Sequence, residues 1–169
     1  MIDYAKTRAW TSGDVRHAYG TRDTILYALG LGLGRDPLDA AQLRHTYERD
    51  LVALPGMAAV LASPGFWMRE RAELGIDAVK LVHGEQILRL HRPLPAAGCV
   101  VGRSRVLRIV DKGEGKGAVV HVEKQLSDAD SGLPLATCEQ VLFLRGDGGF
   151  SKGGGGDEPA PAPPATPES

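Results

Sequence analysis

Four strand-like runs separated by turn residues fill the second half of the chain, and they constrain its fold more than any other feature. In the third run, apolar residues alternate with polar ones, which is the period of two expected of a sheet with one buried face. Segments 93–95, 112–117 and 128–132 between the runs are rich in Gly, Pro and Asp, which favour turns. These short connections predict an antiparallel sheet. Its predicted strands are Val79–His91, Val100–Val110, Ala118–Leu126 and Ala136–Arg145.

Helical segments precede these strands. The first begins at Thr21 or Asp23, either of which suits an N-cap, and stops at the glycines that follow Leu29. A second apolar run, 54–61, has no charged residue, so we expect a helix that protein surrounds on every side. Residues 66–74 also favour a helix. A helical front before a strand-rich back predicts an α+β domain, in which a curled sheet wraps around the apolar helix.

A change of composition marks the end of this domain. From Ser151 the sequence is rich in Gly, Pro and Ala and has no large apolar residue, so burial cannot offset the entropy that ordering would cost. We therefore expect one domain over residues 1–150 and a flexible linker or tail over residues 151–169. A linker of this kind indicates that a further domain or a separate subunit accompanies the chain.

Charge and composition exclude several classes of function. The 20 basic and 21 acidic residues give a formal net charge of -1 and are interspersed, so the chain lacks the basic face that binds nucleic acid. No stretch approaches the roughly 20 apolar residues of a membrane span, and the N-terminus has no apolar leader, which predicts a cytoplasmic protein. Cys99 and Cys138 lack a second pair or a histidine at zinc-ligand spacing, which predicts buried free thiols and no metal site.

Four short motifs occur in a fixed order along the chain. They are Arg-Asp-Thr-Ile-Leu-Tyr-Ala-Leu-Gly at 22–30, His-Gly-Glu-Gln at 83–86, Asp-Lys-Gly at 111–113 and Arg-Gly-Asp-Gly-Gly-Phe at 145–150. Together they resemble the N-terminal, non-catalytic half of MaoC-like type 2 (R)-specific enoyl-CoA hydratases, including the hydratase part of peroxisomal multifunctional enzyme type 2. The resemblance implies a hot-dog fold, in which a curled antiparallel sheet wraps around a long apolar helix. It also implies reversible addition of water to a trans-2-enoyl-CoA without a cofactor, by two paired hot-dog domains.

The resemblance also bears on the catalytic residues. In this family the catalytic Asp and His lie in the other half, within a segment of the form Asp-x-Asn-Pro-Leu-His. Segment 33–39 looks like a degenerate copy, and alignment on its Pro-Leu pair puts the catalytic Asp on Gly34 and the catalytic His on Asp39. The chain contains no asparagine, so no intact copy exists elsewhere in it. Asp39 itself suits an N-cap of a following helix better than a lone base.

The same resemblance suggests substrate contacts. His83 and Gly84 match a pair that touches the acyl-CoA in the family, and glycine would let the ligand approach the backbone closely. The alternative is a hydrogen bond between His83 and Glu85 at the start of a strand. Lys112 matches a lysine that touches the coenzyme, whose phosphates suit a cation, although lysines in turns are usually solvated.

Further residues have weaker assignments. Leu54, Met57 and Leu61 could line a tunnel for the acyl tail, although residues of these types are more often core. Glu48 is predicted to have a structural role in an ion pair with a nearby arginine. No role is assigned to four histidines without ligand-like spacing, which are His17, His45, His91 and His121.

These observations predict an acyl-CoA-binding half of a hydratase of fatty-acid metabolism. Its partners would be acyl-CoA and a second hot-dog domain, in the same polypeptide or another subunit, and it would not be catalytic alone. A stand-alone acyl-CoA-binding homodimer without catalysis is the first alternative. An acyl-CoA thioesterase is the second, with Asp39 or Glu48 as the base.

Overall fold

A five-stranded antiparallel sheet dominates the computed structural model, which describes residues 2–153 and 156–157. The spatial order of the strands is β1-β3-β4-β5-β2, so β1 and β2 form the two edges. The four predicted strands are confirmed to within two residues at each end. The strands are β1 (Thr11–Tyr19), β2 (Leu81–Leu90), β3 (Gly98–Asp111), β4 (Ala118–Asp128) and β5 (Pro134–Leu144).

Strand β1 is the element that the sequence pattern missed. Only Tyr19 in it is fully buried, and a bulge between Thr11 and Asp14 interrupts its pairing with β3. Gly13 has a φ of 65°, a left-handed conformation that glycine adopts without strain. An edge strand with one pairing partner and a bulge carries little alternation, so its sequence does not differ from that of a loop.

The helices are short. The first helix predicted from sequence is confirmed as α2 (Thr21–Gly30), but its predicted N-cap is wrong, because Gly20 and neither Thr21 nor Asp23 occupies that position. The Gly20 amide donates a hydrogen bond of 2.8 Å to the Asp23 carboxylate, so the Asp23 side chain caps the N-terminus of the helix. None of the helices in residues 2–153 and 156–157 is long and apolar enough to cross a membrane. The α-helices are α1 (Tyr4–Arg8), α2 (Thr21–Gly30), α3 (Ala40–Leu43) and α4 (Trp67–Glu70), and the 3₁₀ helices are Pro55–Ala59, Ala72–Leu74, Ala78–Lys80 and Phe150–Gly153.

The expected long apolar helix is wrong. Only Pro55–Ala59 is helical in the 54–61 run, and it forms a 3₁₀ helix of five residues. The chain leaves it through Ala62, whose φ of 48° cannot continue a helix. Ala62 is fixed there because its amide donates to His17 Nδ1 at 3.0 Å and because Gly102 leaves room for it. A Cβ at Gly102 would lie 2.6 Å from the Ala62 carbonyl oxygen.

Two clusters of buried apolar side chains cover one face of the sheet, which we call the inner face. They meet at a row of polar side chains on the same face, Ser104 on β3, Lys124 on β4 and Cys138 on β5, which are register neighbours. Both cysteines are free, and Cys138 is buried whereas Cys99 is half-buried. The first cluster includes Trp10, Trp67, Ile109, Val120 and Leu144, and the second includes Met57, Leu61, Val100, Leu126 and Leu135.

The predicted tail begins against the domain. Asp157 exchanges two hydrogen bonds of 2.8 Å with Ile109 on β3, through its own amide and its carboxylate. Its carboxylate also accepts from the Tyr4 hydroxyl at 2.9 Å. Residues 154–155 and 158–169 lie outside the described residues, so the flexibility of the tail stays a prediction.

Candidate functional site

Two of the predicted contact residues lie at the same end of the sheet. Lys112 directly follows Asp111, which belongs to a register row that ends at Leu81 on β2. His83 lies two residues further along β2. Three inter-strand spacings separate β2 from β3, which corresponds to about 14 Å. The fold therefore brings His83 and Lys112 to one end without contact, at a separation that an extended ligand could bridge.

His83 faces a cavity of about 220 Å³ on the inner side of the sheet. Trp67 and Leu142 line this cavity with it, as does Gln140 on β5. Within the described part of the chain no hydrogen bond joins His83 to Glu85, so the alternative role for this histidine has no support. The His83 imidazole is exposed and is open to a ligand.

Gly84 is the bulged residue of an open edge. It has no register partner on β5, since the pairing shifts between His83 and Glu85. A Cβ at Gly84 would lie 3.1 Å from the Val141 carbonyl oxygen, so a side chain there would press on the neighbouring strand. No strand of the described residues covers the other side of β2.

The turn that carries Lys112 is fixed by the Asp111 carboxylate. This group accepts hydrogen bonds from the amides of Gly113 at 2.8 Å and Gly149 at 2.7 Å. It also accepts from the amide and the hydroxyl of Ser151 at 2.8 and 2.6 Å. The third and fourth motifs are therefore one structural unit, which presents Lys112 to solvent.

These contacts also set the acidity of Asp111. Partial burial by itself would raise the pKa of the carboxyl, but the bonds from Ser151, Gly149 and Gly113 outweigh that effect and hold the pKa well below its ordinary value of 3.8. The folded protein consequently binds fewer protons here than the unfolded chain does. The resulting stabilisation is complete above pH 3.8 and is lost as the pH falls through the folded-state pKa.

Replacement of this carboxylate should expose its role. We expect Asp111→Ala to lower the free energy of unfolding at pH 7 by about 2 kcal/mol, because three backbone amides lose a charged acceptor that is partly screened by solvent. The difference from the wild type should shrink below pH 3.8. Urea denaturation across a pH series measures both effects. Asp130→Ala, at an exposed turn, is the control, and an equal loss in both variants would contradict the assignment.

Hydrogen bonds hold segment 33–39, which resembles a degenerate copy of the catalytic motif. The Gly34 amide donates to Gln42 Oε1 at 2.8 Å, and Gln42 Nε2 donates to Asp39 Oδ2 at 2.8 Å. The predicted cap is confirmed, since the Asp39 carboxylate also accepts from the amides of Ala41 and Gln42 at the start of α3. The bonds to Gln42 and Ala41 lower the pKa of Asp39, which makes it a weaker base.

The predicted tail-lining residues lie in or beside the core. Met57 and Leu61 are fully buried and Leu54 is half-buried, and none of them faces the cavity beside His83. A role for them in binding an acyl tail stays a prediction. The predicted ion pair of Glu48 is wrong, because Glu48 is exposed and pairs with no arginine in the described residues. The nearby Arg49 pairs with Asp50 instead.

Sequence reasoning missed Gln42, Asp111 and Lys124. Lys124 left a signal, because a charged residue occupies an inward position of β4 between Val122 and Leu126. The roles of Gln42 and Asp111 depend on tertiary contacts and left none. The four histidines without an assigned role all have structural partners. His17 accepts from Ala62, and the rings of His45, His91 and His121 contact the Val52 carbonyl, the Thr137 hydroxyl and the Glu139 carboxylate.

Comparison with known proteins identifies the family. The family model for the MFE-2 hydratase 2 N-terminal domain matches residues 17–146. The 3-hydroxyacyl-thioester dehydratase Y of Mycobacterium tuberculosis is 41% identical over 140 residues, covering 82% of this chain and 47% of that protein. Enoyl-CoA hydratase 2, peroxisomal, of Arabidopsis thaliana is 33% identical over 152 residues, covering 82% of this chain and 46% of that protein.

A solved structure confirms the fold class. The MaoC-like dehydratase from Phytophthora capsici superposes with a TM-score of 0.73 at 24% identity, covering 99% of this chain and 57% of that one. The predicted α+β hot-dog fold is thus confirmed, with a short 3₁₀ helix in place of the long one. The chain spans about half the length of the curated relatives that it matches. It belongs to the hydratase and dehydratase family defined by the MFE-2 hydratase 2 N-terminal domain.

Proposed function

We propose that this chain is the acyl-CoA-binding, non-catalytic half of an (R)-specific 2-enoyl-CoA hydratase, working with a second hot-dog domain. The observation that carries the proposal is the Gly34–Gln42–Asp39 network. Hydration needs a group that activates water and a group that protonates the α-carbon. Glycine supplies neither, and the Asp39 carboxylate already accepts from two amides and from Gln42.

The open edge of β2 supports a partner domain. Val82 and Ile87 on this strand are large apolar residues that are 38% and 48% exposed. Unpaired edges expose backbone donors and acceptors that pair readily with another strand. In the proposal, a second hot-dog sheet covers this edge and places its Asp-x-Asn-Pro-Leu-His segment beside His83 and Gly84.

Positive charge at one end of the sheet supports coenzyme binding. Lys112, Lys116 and Arg145 are exposed there, and none of them forms an ion pair within the described residues. The pairs nearby are Lys80 with Asp77 and Lys152 with Glu114. Unpaired cations attract the phosphates of a coenzyme. The thioester would then lie near His83, and the addition of water requires no cofactor.

The thioesterase alternative has no support from these contacts. Hydrolysis would need a free carboxylate base close to the thioester. The Asp39 carboxylate accepts hydrogen bonds from the amides of Gln42 and Ala41. Glu48 lies exposed on the loop after α3. Neither carboxylate lines the cavity beside His83.

Reconstitution tests the proposal. We expect the pure chain, and a hot-dog domain carrying the intact Asp-x-Asn-Pro-Leu-His segment, each to leave trans-2-enoyl-CoA unchanged. The mixture should hydrate it, as loss of the enoyl absorbance would show. Hydration by the chain alone would contradict a non-catalytic role. Inactivity of the mixture, with acyl-CoA still bound by the chain, would favour the binding-only homodimer.

A further inference from the structure

A buried ammonium group lies in the middle of the inner face of the sheet. Lys124 is 7% exposed, and it points to the same face as Val122 and Leu126. Its register neighbours Ser104 and Cys138 are also buried. Lysine is almost never buried without a partner for its charge. The row of Ser104, Lys124 and Cys138 therefore interrupts an otherwise apolar core, and the buried charge of Lys124 requires an explanation.

The contacts of Lys124 leave part of its binding capacity unused. Its Nζ donates to the carbonyl oxygens of Ala59 at 2.8 Å and Leu61 at 2.5 Å. An ammonium has three donors, so one remains. No carboxylate of the described residues forms an ion pair with it, and burial lowers its pKa. Such a charge is costly until an anion balances it.

A second cavity lies beside Lys124 and shares part of its lining with the cavity beside His83. Its volume is about 70 Å³, well above the roughly 10–15 Å³ that one water molecule needs. Gly65, Trp67 and Gln140 line both this cavity and the one beside His83, so the two adjoin. An acyl chain that occupied both cavities would extend along the inner face of the sheet, from the edge strand to the buried ammonium.

The register of the sheet gives the distance between His83 and Lys124. Leu142 lies opposite His83, and Cys138 lies opposite Lys124. These two positions are four residues apart on β5, which is about 13 Å along the strand, and β2 and β4 lie two inter-strand spacings apart, about 10 Å across it, so His83 and Lys124 are about 16 Å apart. A ligand whose thioester lies near His83 would therefore bring the far end of an extended acyl chain to Lys124.

Resting on the proposed function, we propose that the acyl group bound by this chain ends in a carboxylate and that Lys124 binds that carboxylate. The ligand would supply the anion that the buried ammonium lacks. Ser104 and Gln140, which line the same cavity, have a hydroxyl and an amide that can donate to the second oxygen. The wall formed by Trp67 would contact the methylene chain.

A purely structural role for Lys124 makes a different prediction. The ammonium caps the carbonyls at the end of the 3₁₀ helix Pro55–Ala59, and the Cys138 thiol contacts the Ala58 carbonyl there. If that were its whole role, an acyl chain with a methyl end would bind at least as well as one with a carboxylate end. The carboxylate would gain no partner on burial, whereas a methyl group carries no charge to bury.

Calorimetry on the full chain separates these roles. The probes are two saturated acyl-CoA thioesters of equal chain length, one ending in a methyl and one in a carboxylate. We expect the carboxylate probe to bind about tenfold tighter, the effect of one net charge-assisted hydrogen bond. Equal binding, or tighter binding of the methyl probe, would overturn this inference and leave the proposed function intact. No binding of either probe would overturn both.

Variants test the assignment to Lys124. Lys124→Met keeps most of the length of the side chain but removes the charge, and we expect it to abolish the preference for the carboxylate probe. Lys6 on α1 is exposed and forms an ion pair with Asp3. Lys6→Met is the matched control and should keep the preference. A preference that survives in Lys124→Met would overturn the assignment. The comparison of the two probes on the wild type stands even if Lys124→Met fails to fold.

Discussion

Gly148→Ala should destabilise the protein by about 3 kcal/mol, at the upper end of the range for overpacking. A Cβ at position 148 would lie 2.2 Å from the Gly113 carbonyl oxygen and 2.7 Å from the Gly117 nitrogen. These are backbone atoms of the turn between β3 and β4, so they cannot move aside as a flexible side chain would. The substitution must separate the two segments that Asp111 joins, and it should displace Lys112 with them.

Chemical denaturation measures this effect, and thermal melting should show a fall of roughly 10 °C. Gly98→Ala is the matched control, because nothing lies within 4 Å of a Cβ at that position and its φ is not left-handed. We expect it to change the free energy of unfolding by less than about 0.5 kcal/mol. If the two variants melted together, the close packing of Gly148 on the turn would be refuted.

Trp10→Ala should cost about 3–5 kcal/mol, the range for truncation of a large buried aromatic. The indoles of Trp10 and Trp67 stack with ring centroids 3.6 Å apart and an interplanar angle of 9°. Both side chains are 7% exposed. Trp10 directly precedes β1 and Trp67 begins α4, so the pair joins the edge strand to the segment that lines the two cavities.

Trp10→Phe separates the burial of Trp10 from its indole chemistry. The Trp10 Nε1 is buried and has no hydrogen-bond partner among the described residues, so phenylalanine removes an unsatisfied donor and keeps most of the apolar area. We expect a loss of only about 1–2 kcal/mol. The exciton circular dichroism of stacked indoles should vanish in both variants, whereas stability should fall steeply in Trp10→Ala alone. Similar losses in both would contradict this account.

The strands β3, β4 and β5 could be predicted from the sequence because the apolar residues within each strand indicate which of its positions are buried. Apolar residues alternate along β4 at 118–126, and a turn rich in glycine precedes it at 112–117. These signals are local, so no knowledge of partners is needed. The absence of an intact Asp-x-Asn-Pro-Leu-His segment was equally accessible, because the chain contains no asparagine. The cap at Asp39 followed from its position before α3.

The tertiary structure decided the rest, because the remaining features join residues far apart in the sequence. Strand β1 exists because it pairs with β3. The helix in the apolar run after Leu54 ends early because His17, Gly102 and Lys124 fix the chain that follows it. Asp111 fixes the turn through Ser151, forty residues away. Residue identity alone thus determined four of the five strands and the absence of an intact Asp-x-Asn-Pro-Leu-His segment. Only packing buried the Lys124 ammonium beside a cavity, because such contacts depend on where distant segments meet.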